Sequence, residues 1–429
     1  MSNIPASLRR ASQRTLSLVI FLPALLAHGL QPATGQPTRA AATAAQRQEQ
    51  QRPRRVAPTP TPESGAGRGE RPASAPQKSP GGGEAVDEDD VVRIDTQLVS
   101  VPAVVTDARG KPVSGLRADN FTLFEDGRPQ KIANFATTEA PFEVALLLDT
   151  SGSTRAEVGL IRRAAGVFVE SLRPGDRVAI LAFSTREEGD TKLAEVEVKS
   201  PLTDDREQLR EAIEGIGASY GTPFYDGLER VAAEVFRDAP RAELRGRRAL
   251  VALTDGVDST SESDYEEARA RFKRAGVVAY FVQVNTEAFV EERLMRDCQD
   301  DGALRLSRSQ LQRYRRLFAA RADAADYADF CRMGQFERMD ISRRLYQLAR
   351  AEMNELARDS GGKTFPVGDL REARGAFRQI AEEIGTQYSL GYYPTNKARD
   401  GSFRTIRVQV RGVRDAQVRA REGYQAPRS

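Results

Sequence analysis

Apolar and polar positions change their rhythm twice along the chain. From Val91 the pattern is one of short runs: Ile94, Leu98 and Val99 to Val105, then Val113 to Leu116, Asn120 to Glu125 and Lys131 to Phe135. Asp107-Ala108-Arg109-Gly110 and Asp126-Gly127 separate them as turns, which predicts an all-β segment over 91–140. At Phe142 a nearly continuous apolar run begins, Phe142 to Leu148, as expected of a strand covered on both faces. Helical spacing follows at Val158, Ile161, Ala165, Phe168 and Val169, in a helix predicted over 155–172 and stopped by Pro174-Gly175-Asp176. Buried strands are expected at Val178 to Phe183, Ala249 to Leu253 and Val277 to Val284, with an alternating edge strand at Leu193 to Val198. Between them fall helices marked by Leu209, Ile213 and Ile216, by Leu228, Val231, Ala232 and Val235, and by Tyr265 to Ala275.

Strands alternating with helices imply a doubly wound, mostly parallel α/β sheet of Rossmann-like type over 141–385. Residues 287–340 break that rhythm. They are rich in Arg, Asp and Ala, and Leu311, Tyr314, Leu317 and Phe318 stand at helical spacing, so a helical insertion is predicted there. A separate helix is expected from Ile341 to Asp359, ended by Gly361-Gly362, then a short strand at Lys363 to Pro366 and a helix from Leu370 to Ile384. The tail, 386–429, returns to β at Gln387 to Tyr393, Phe403 to Val410 and Ala416 to Arg421. Neither β segment is large enough to stand alone. They are expected to pair into one small β-sandwich in which the α/β domain is inserted.

The chain ahead of Val91 carries no such pattern. Residues 36–90 are rich in Ala, Gln, Pro and Arg, with a Pro-Thr run at 58–62, Gly81-Gly82-Gly83 and an acidic cluster from Asp87 to Asp90. That composition predicts a disordered linker. Residues 1–35 read as a secretory signal: Arg9, Arg10 and Arg14 precede the apolar Leu16 to Leu26, and Ala33 and Gly35 precede a new N-terminus at Gln36. The expected location is therefore outside the cytoplasm: periplasmic, cell-surface or secreted. Pro23 and the short apolar run argue against a lasting membrane helix, so membrane contact is expected only if this segment is retained as an anchor.

Composition narrows the chemistry. Lys and Arg number 64 against 61 for Asp and Glu, a formal charge of +3, too balanced for a nucleic-acid binder. The single histidine is His28, inside the signal-like segment. A processed chain thus has no Ser-His-Asp or Cys-His machinery and no His-ligated zinc. The two cysteines, Cys298 and Cys331, are expected to form a disulfide in an oxidising compartment.

Ligands of an open parallel sheet bind beyond the carboxyl ends of its strands. Three oxygen-bearing stretches fall at such positions. The first predicted strand runs into Asp149-Thr150-Ser151-Gly152-Ser153, the strand at 249–253 ends in Thr254-Asp255-Gly256, and the loop at Tyr220-Gly221-Thr222-Pro223 precedes a helix. Asp149-x-Ser151-x-Ser153 alone is compatible with an ordinary helix cap; three such loops on one sheet edge are harder to assign to capping. Asp258 reads as a neighbour of the site or as a cap for the helix starting near Ser263, and Asp226 as a solvent-facing or helix-starting residue.

With these residues in place, 140–385 resembles the von Willebrand factor type A (VWA) domain and contains its D-x-S-x-S…T…D metal-ion-dependent adhesion site. The resemblance implies that Asp149, Ser151, Ser153, Thr222 and Asp255 surround a divalent cation. The flanks Asn120 to Gly127 and Gln387 to Pro394 resemble those of exported VWA-related proteins of acidobacterial genomes. Independently, hydroxyl and carboxylate oxygens suit Mg²⁺ first, and Mn²⁺ or Ca²⁺ as well. Few carboxylates leave the ion under-neutralised, with a coordination position for the Asp or Glu of a protein partner. The expected function is a non-enzymatic, adhesion-type binding protein. One alternative is an envelope scaffold without metal-dependent binding. A second is a phosphotransferase of the haloacid-dehalogenase type, which needs a second carboxylate where this chain has Ser151; no Gly-rich phosphate loop is present either. The insertion departs from the compact VWA pattern and is a candidate for shaping specificity near the metal face.

Overall fold

The computed structural model describes residues 98–137, 141–154, 157–238, 247–295 and 306–428. The signal-like segment, the linker, the expected strand start at Val91 to Ile94, and Cys298 lie outside these residues.

Four strands form the N-terminal flank: β1 (Val99–Thr106), β2 (Phe121–Glu125), β3 (Arg128–Gln130) and β4 (Ile132–Ala136). Val113 to Leu116, expected as a strand, is irregular. The Val113 N–H reaches the Val105 carbonyl of β1 (2.8 Å), but no ladder continues from it: the Tyr388 hydroxyl accepts from the Leu116 N–H (3.1 Å) and donates to the Val113 carbonyl (2.9 Å).

The central domain runs β5 (Glu143–Leu148), α1 (Val158–Glu170), β6 (Arg177–Glu188), β7 (Thr191–Thr203), α2 (Arg206–Glu214), α3 (Phe224–Arg230), β8 (Arg248–Thr254), α4 (Tyr265–Ala275), β9 (Val278–Val284), α5 (Glu287–Leu294), α6 (Arg308–Phe318), α7 (Gln335–Ser360), β10 (Lys363–Val367) and α8 (Ala373–Gly385). The sheet order is β10-β9-β8-β5-β6-β7, parallel except for β7, which pairs antiparallel with β6 at the edge. Every residue of β5, β8 and β9 is buried, which is why their sequences are unbroken apolar runs. Val144, Leu146 and Leu148 pack under α1, α2 and α8, while Ala145 and Leu147 pack under α3, α4 and the second half of α7. The β6–β7 hairpin runs further than expected, through Glu188, because its outer turns are polar and exposed and show no apolar signal.

The C-terminal flank supplies β11 (Tyr388–Tyr392), β12 (Phe403–Val410), β13 (Gln417–Ala420) and β14 (Gly423–Gln425). The two flanks interleave as sheets β13-β1-β11-β4 and β14-β12-β2-β3, so the expected sandwich around an inserted α/β domain is present. Its core joins Val101, Leu123, Tyr388, Leu390 and Ile406. Glu125 is buried in it, accepting from Tyr392 (2.5 Å) and Tyr424 (2.9 Å) with the Arg404 guanidinium 3.5 Å away.

The insertion is helical, but its end is not at residue 340. One 26-residue helix, α7, continues unbroken from Gln335 to Ser360, since nothing between Gly334 and Gly361 interrupts it. Gly362, just beyond, is required by close approach: a Cβ there would lie 1.8 Å from the Ala279 carbonyl oxygen of β9. The helices α5, α6 and the first half of α7 enclose a core of their own, including Leu294, Leu311, Phe330, Ile341 and Leu345. Leu311 and Tyr314 of α6 face it, whereas Leu317 (55% exposed) and Phe318 face outward, against the expectation that all four share an apolar stripe. Buried Glu352 of α7 ties this subdomain to the main one through Tyr225 (2.8 Å) and Arg313 (2.5 Å). Cys331 is disulfide-bonded.

Candidate metal centre

Strand β5 delivers Asp149 to the carboxyl edge of the sheet, and its N–H continues the ladder to the Leu253 carbonyl at 2.9 Å. The chain then turns sharply. The Ser151 N–H donates to Asp149 Oδ1 (3.0 Å), and the Thr154 hydroxyl donates to the carbonyls of Asp149 (3.1 Å) and Ser151 (3.2 Å). This closed turn points Ser151 and Ser153 back over the strand end, their hydroxyl oxygens 3.5 Å apart. Beside it, Asp255 directly follows β8, and Ser153 donates to Asp255 Oδ2 at 3.0 Å. Gly256 has φ +75°, and a Cβ there would meet Met353 Cε of α7 at 2.5 Å; glycine satisfies both constraints. Thr222 is carried on the third loop, locked to the β8–α4 loop by its N–H to Ser259 Oγ (2.9 Å) and by the Ser259 N–H to its carbonyl (3.0 Å).

The five predicted residues are thus gathered at one edge. Neighbouring oxygens of an octahedral shell with about 2.1 Å bonds stand roughly 3 Å apart, and the Ser153–Asp255 and Ser151–Ser153 separations are of that size. All the donors are oxygens of carboxylates and hydroxyls, which suit a hard divalent ion. Among the described residues no group of three or more His, Cys, Asp or Glu side chains is placed to hold a metal; this edge has two carboxylates and completes its oxygens with hydroxyls.

The electrostatics favour a cation. Asp149 is 1% exposed and Asp255 4%, and among the described residues neither forms an ion pair. Burial first, and then the Asp255 charge, push the Asp149 carboxyl up to about 7, against the lowering effect of hydrogen bonds from Ser151 and Thr254. Asp258 is also pushed up by burial, to about 6.

Several residues at this edge were not singled out by sequence. The Thr254 hydroxyl donates to Asp149 Oδ2 at 2.6 Å. Thr286 donates to Asp255 Oδ2 at 2.6 Å and shares a 2.8 Å hydrogen bond with the Tyr346 hydroxyl, itself 3.4 Å from the same oxygen. Thr286 lies just past the end of β9, so the strand-end rule that found the other three loops also reaches it. Tyr346 has no such signal, being brought across by α7. Asp258 caps α3 by accepting from the N–H groups of Phe224 (2.9 Å) and Tyr225 (3.2 Å). The cap of α4 is Asp264 instead. Asp226, in the first turn of α3, accepts from the Glu262 and Ser263 N–H groups. A cavity of about 310 Å³ opens over this edge, bounded on its far side by α5, α6 and α7.

Residues 143–307 match the family profile described as the von Willebrand factor type A domain. None of the curated proteins matches the chain. Solved structures similar to it include the conserved hypothetical protein BatB from Bacteroides thetaiotaomicron, with 17% identity, 57% of this chain and 98% of that chain covered, and a TM-score of 0.33. Another is a von Willebrand factor type A protein from Catenulispora acidiphila, with 12% identity, coverage of 79% and 75%, and a TM-score of 0.33. A third is the vWF domain of the type V pili tip protein Mfa5 from Porphyromonas gingivalis, with 18% identity, coverage of 28% and 39%, and a TM-score of 0.23. The mostly parallel sheet, its strand-end oxygens and the family match together identify a von Willebrand factor type A domain over residues 143–307 of this chain.

Proposed function

We propose that this protein is an exported binding protein that holds a divalent cation, Mg²⁺ first, on Asp149, Ser151, Ser153, Thr222 and Asp255, and uses it to dock the carboxylate of a partner. The observation that carries the reading is the pair of buried carboxylates, Asp149 and Asp255, faced by hydroxyls and by no cationic side chain among the described residues. Two buried charges of like sign are costly unless something positive neutralises them. Two carboxylates balance a doubly charged ion, and the neutral hydroxyls of Ser151, Ser153 and Thr222 fill only part of the remaining shell, which leaves a position for an incoming carboxylate oxygen. Domains of this family commonly serve as protein-interaction modules, in keeping with a partner that presents Asp or Glu. It is a binding protein rather than an enzyme: Ser151, two residues after Asp149, cannot protonate a leaving group as the acid of a phosphotransferase must. Export follows from the signal-like residues 1–35; among the described residues no helix is long and apolar enough to cross a membrane.

Calorimetric titration of the chelator-stripped protein with Mg²⁺, Mn²⁺ and Ca²⁺ tests the metal reading. One saturable site per chain, lost in Asp149→Ala, is expected. An absence of saturable binding of all three ions to the wild type overturns it.

A further inference from the structure

The metal edge of this chain is roofed. The cavity over it, about 310 Å³, has the metal-edge oxygens of Ser151, Ser153, Thr222 and Asp255 as its floor. Its walls are mixed: Val257 of the β8–α4 loop and Val290, Leu306, Leu345 and the ring of Tyr346 from the insertion form an apolar side, and Thr260, Gln310 and Ser342 add polar groups. The insertion is held in place there by hydrogen bonds from Ser307 Oγ to the Ser259 carbonyl (2.6 Å) and through the Thr286–Tyr346 pair. At this volume, near the small end of ligand pockets at roughly 300 Å³, a flat acidic protein face cannot reach the floor. Only a slender group can.

One wall residue points to a ligand independently. Ser342 of α7 is 1% exposed, lines the cavity, and its hydroxyl has no hydrogen-bond partner. It stands one helical turn from Tyr346, on the same face of α7. A buried hydroxyl left without a partner is costly, and an oxygen of a ligand seated in the cavity would satisfy it.

We infer that the cavity binds a carboxylate on a short aliphatic stem, whose carboxylate meets the cation, whose methylenes pack against Val257, Val290, Leu306 and Leu345, and one of whose oxygens accepts from Ser342. This rests on the metal reading above and adds to it the size and character of the group that enters. The same chemistry is carried by a free aliphatic acid and by a glutamate side chain at a loop tip.

Calorimetry on the full chain with saturating Mg²⁺ separates the cases, with acetate, hexanoate and N-acetyl-glutamate amide as probes. Each buried methylene strengthens binding about fourfold, so hexanoate is expected to bind at least about tenfold more tightly than acetate, and only with Mg²⁺ present. A preference for hexanoate over the glutamate amide assigns the cavity to a free acid, and the reverse preference to a protein side chain. Ser342→Ala, which removes one atom from a site not among the metal oxygens, is expected to leave the Mg²⁺ titration unchanged and to weaken the preferred probe about five- to tenfold. Ser342→Leu, which fills the cavity, is expected to abolish it. Mg²⁺ binding with equal affinities for acetate and hexanoate overturns the cavity inference and leaves the metal reading standing. Unaltered probe binding in both Ser342 variants does the same. Loss of Mg²⁺ binding in the wild type overturns the metal reading itself.

Discussion

The two ends of the central sheet solve the same electrostatic problem in opposite ways. At the amino edge, Glu143 is buried at the start of β5, and two arginines answer it: Arg177 Nη1 at 2.8 Å and Arg248 Nε at 3.0 Å. At the carboxyl edge of the same strand, Asp149 is as deeply buried, lies beside a second carboxylate, and is met only by hydroxyl and backbone donors. Glu125 in the sandwich follows the amino-edge rule, with Arg404 beside it. Glu143 and Glu125 thus have arginines beside them, whereas among the described residues the Asp149–Asp255 pair has none. The amino edge balances its buried charge within the chain, and the proposed cation would balance it at the carboxyl edge.

The sharpest way to break this comparison is to delete one carboxylate from each edge. Glu143→Gln strands the buried Arg248 charge and is expected to cost about 3–5 kcal/mol in chemical denaturation. Asp149→Asn in metal-free protein removes the repulsion with Asp255 and is expected to be neutral or slightly stabilising. A large loss of stability in metal-free Asp149→Asn would erase the distinction between the edges. Next in size is the effect of the ion. With free Mg²⁺ at a hundred times its dissociation constant, linkage gives about 2.7 kcal/mol of added stability, expected in the wild type and absent from Asp149→Ala by thermal denaturation in Mg²⁺ against EDTA.

The pH profile sharpens the picture further. Asp149 and Asp258 have folded-state values of about 7 and about 6, both raised from 3.8. A raised carboxyl contributes stability that is complete below the unfolded value and is lost as pH rises through the folded one. The metal-free protein is therefore expected to lose stability steadily from about pH 4 to pH 7, and Mg²⁺ to flatten the upper part of that decline by neutralising Asp149. A metal-free melting temperature that rises across this window would contradict the burial argument. The smallest effect is expected from Tyr346→Phe, which deletes one long hydrogen bond to Asp255 and the partner of Thr286. A loss of about 0.5–1.5 kcal/mol is expected, with Mg²⁺ affinity changed by less than in Asp149→Ala. Equal losses of Mg²⁺ affinity in the two variants would place Tyr346 among the residues the ion depends on.

Much of this edge was legible in the chain because strand ends and turns are local. The run from Phe142 to Leu148 marks a doubly covered strand, and the residue that follows it in sequence, Asp149, must emerge at its carboxyl end. The same rule places Asp255 after β8 and Thr286 after β9, where a lone threonine carries no motif of its own. Most flanking strands are also readable, because alternation and turn residues are short-range signals; Val113 to Leu116 is the exception, two of its backbone groups being met by a tyrosine hydroxyl more than two hundred residues away.

What the chain alone determined, then, was which residues share an edge or a helix face, since a strand's period of two and a helix's of 3.6 are written residue by residue. What only the tertiary structure decided was which way those faces turn and what comes to meet them. Helical spacing grouped Leu311, Tyr314, Leu317 and Phe318, but packing buried the first two and exposed the others. Nothing near Ser342 or Tyr346 in sequence announces that α7 crosses the carboxyl edge of the sheet. That crossing is set by contacts between segments far apart in the chain, such as Tyr346 with Thr286 and Met353 against Gly256. Local periodicity places a residue on a surface; the choice of opposing surface is made by the packing of the whole domain.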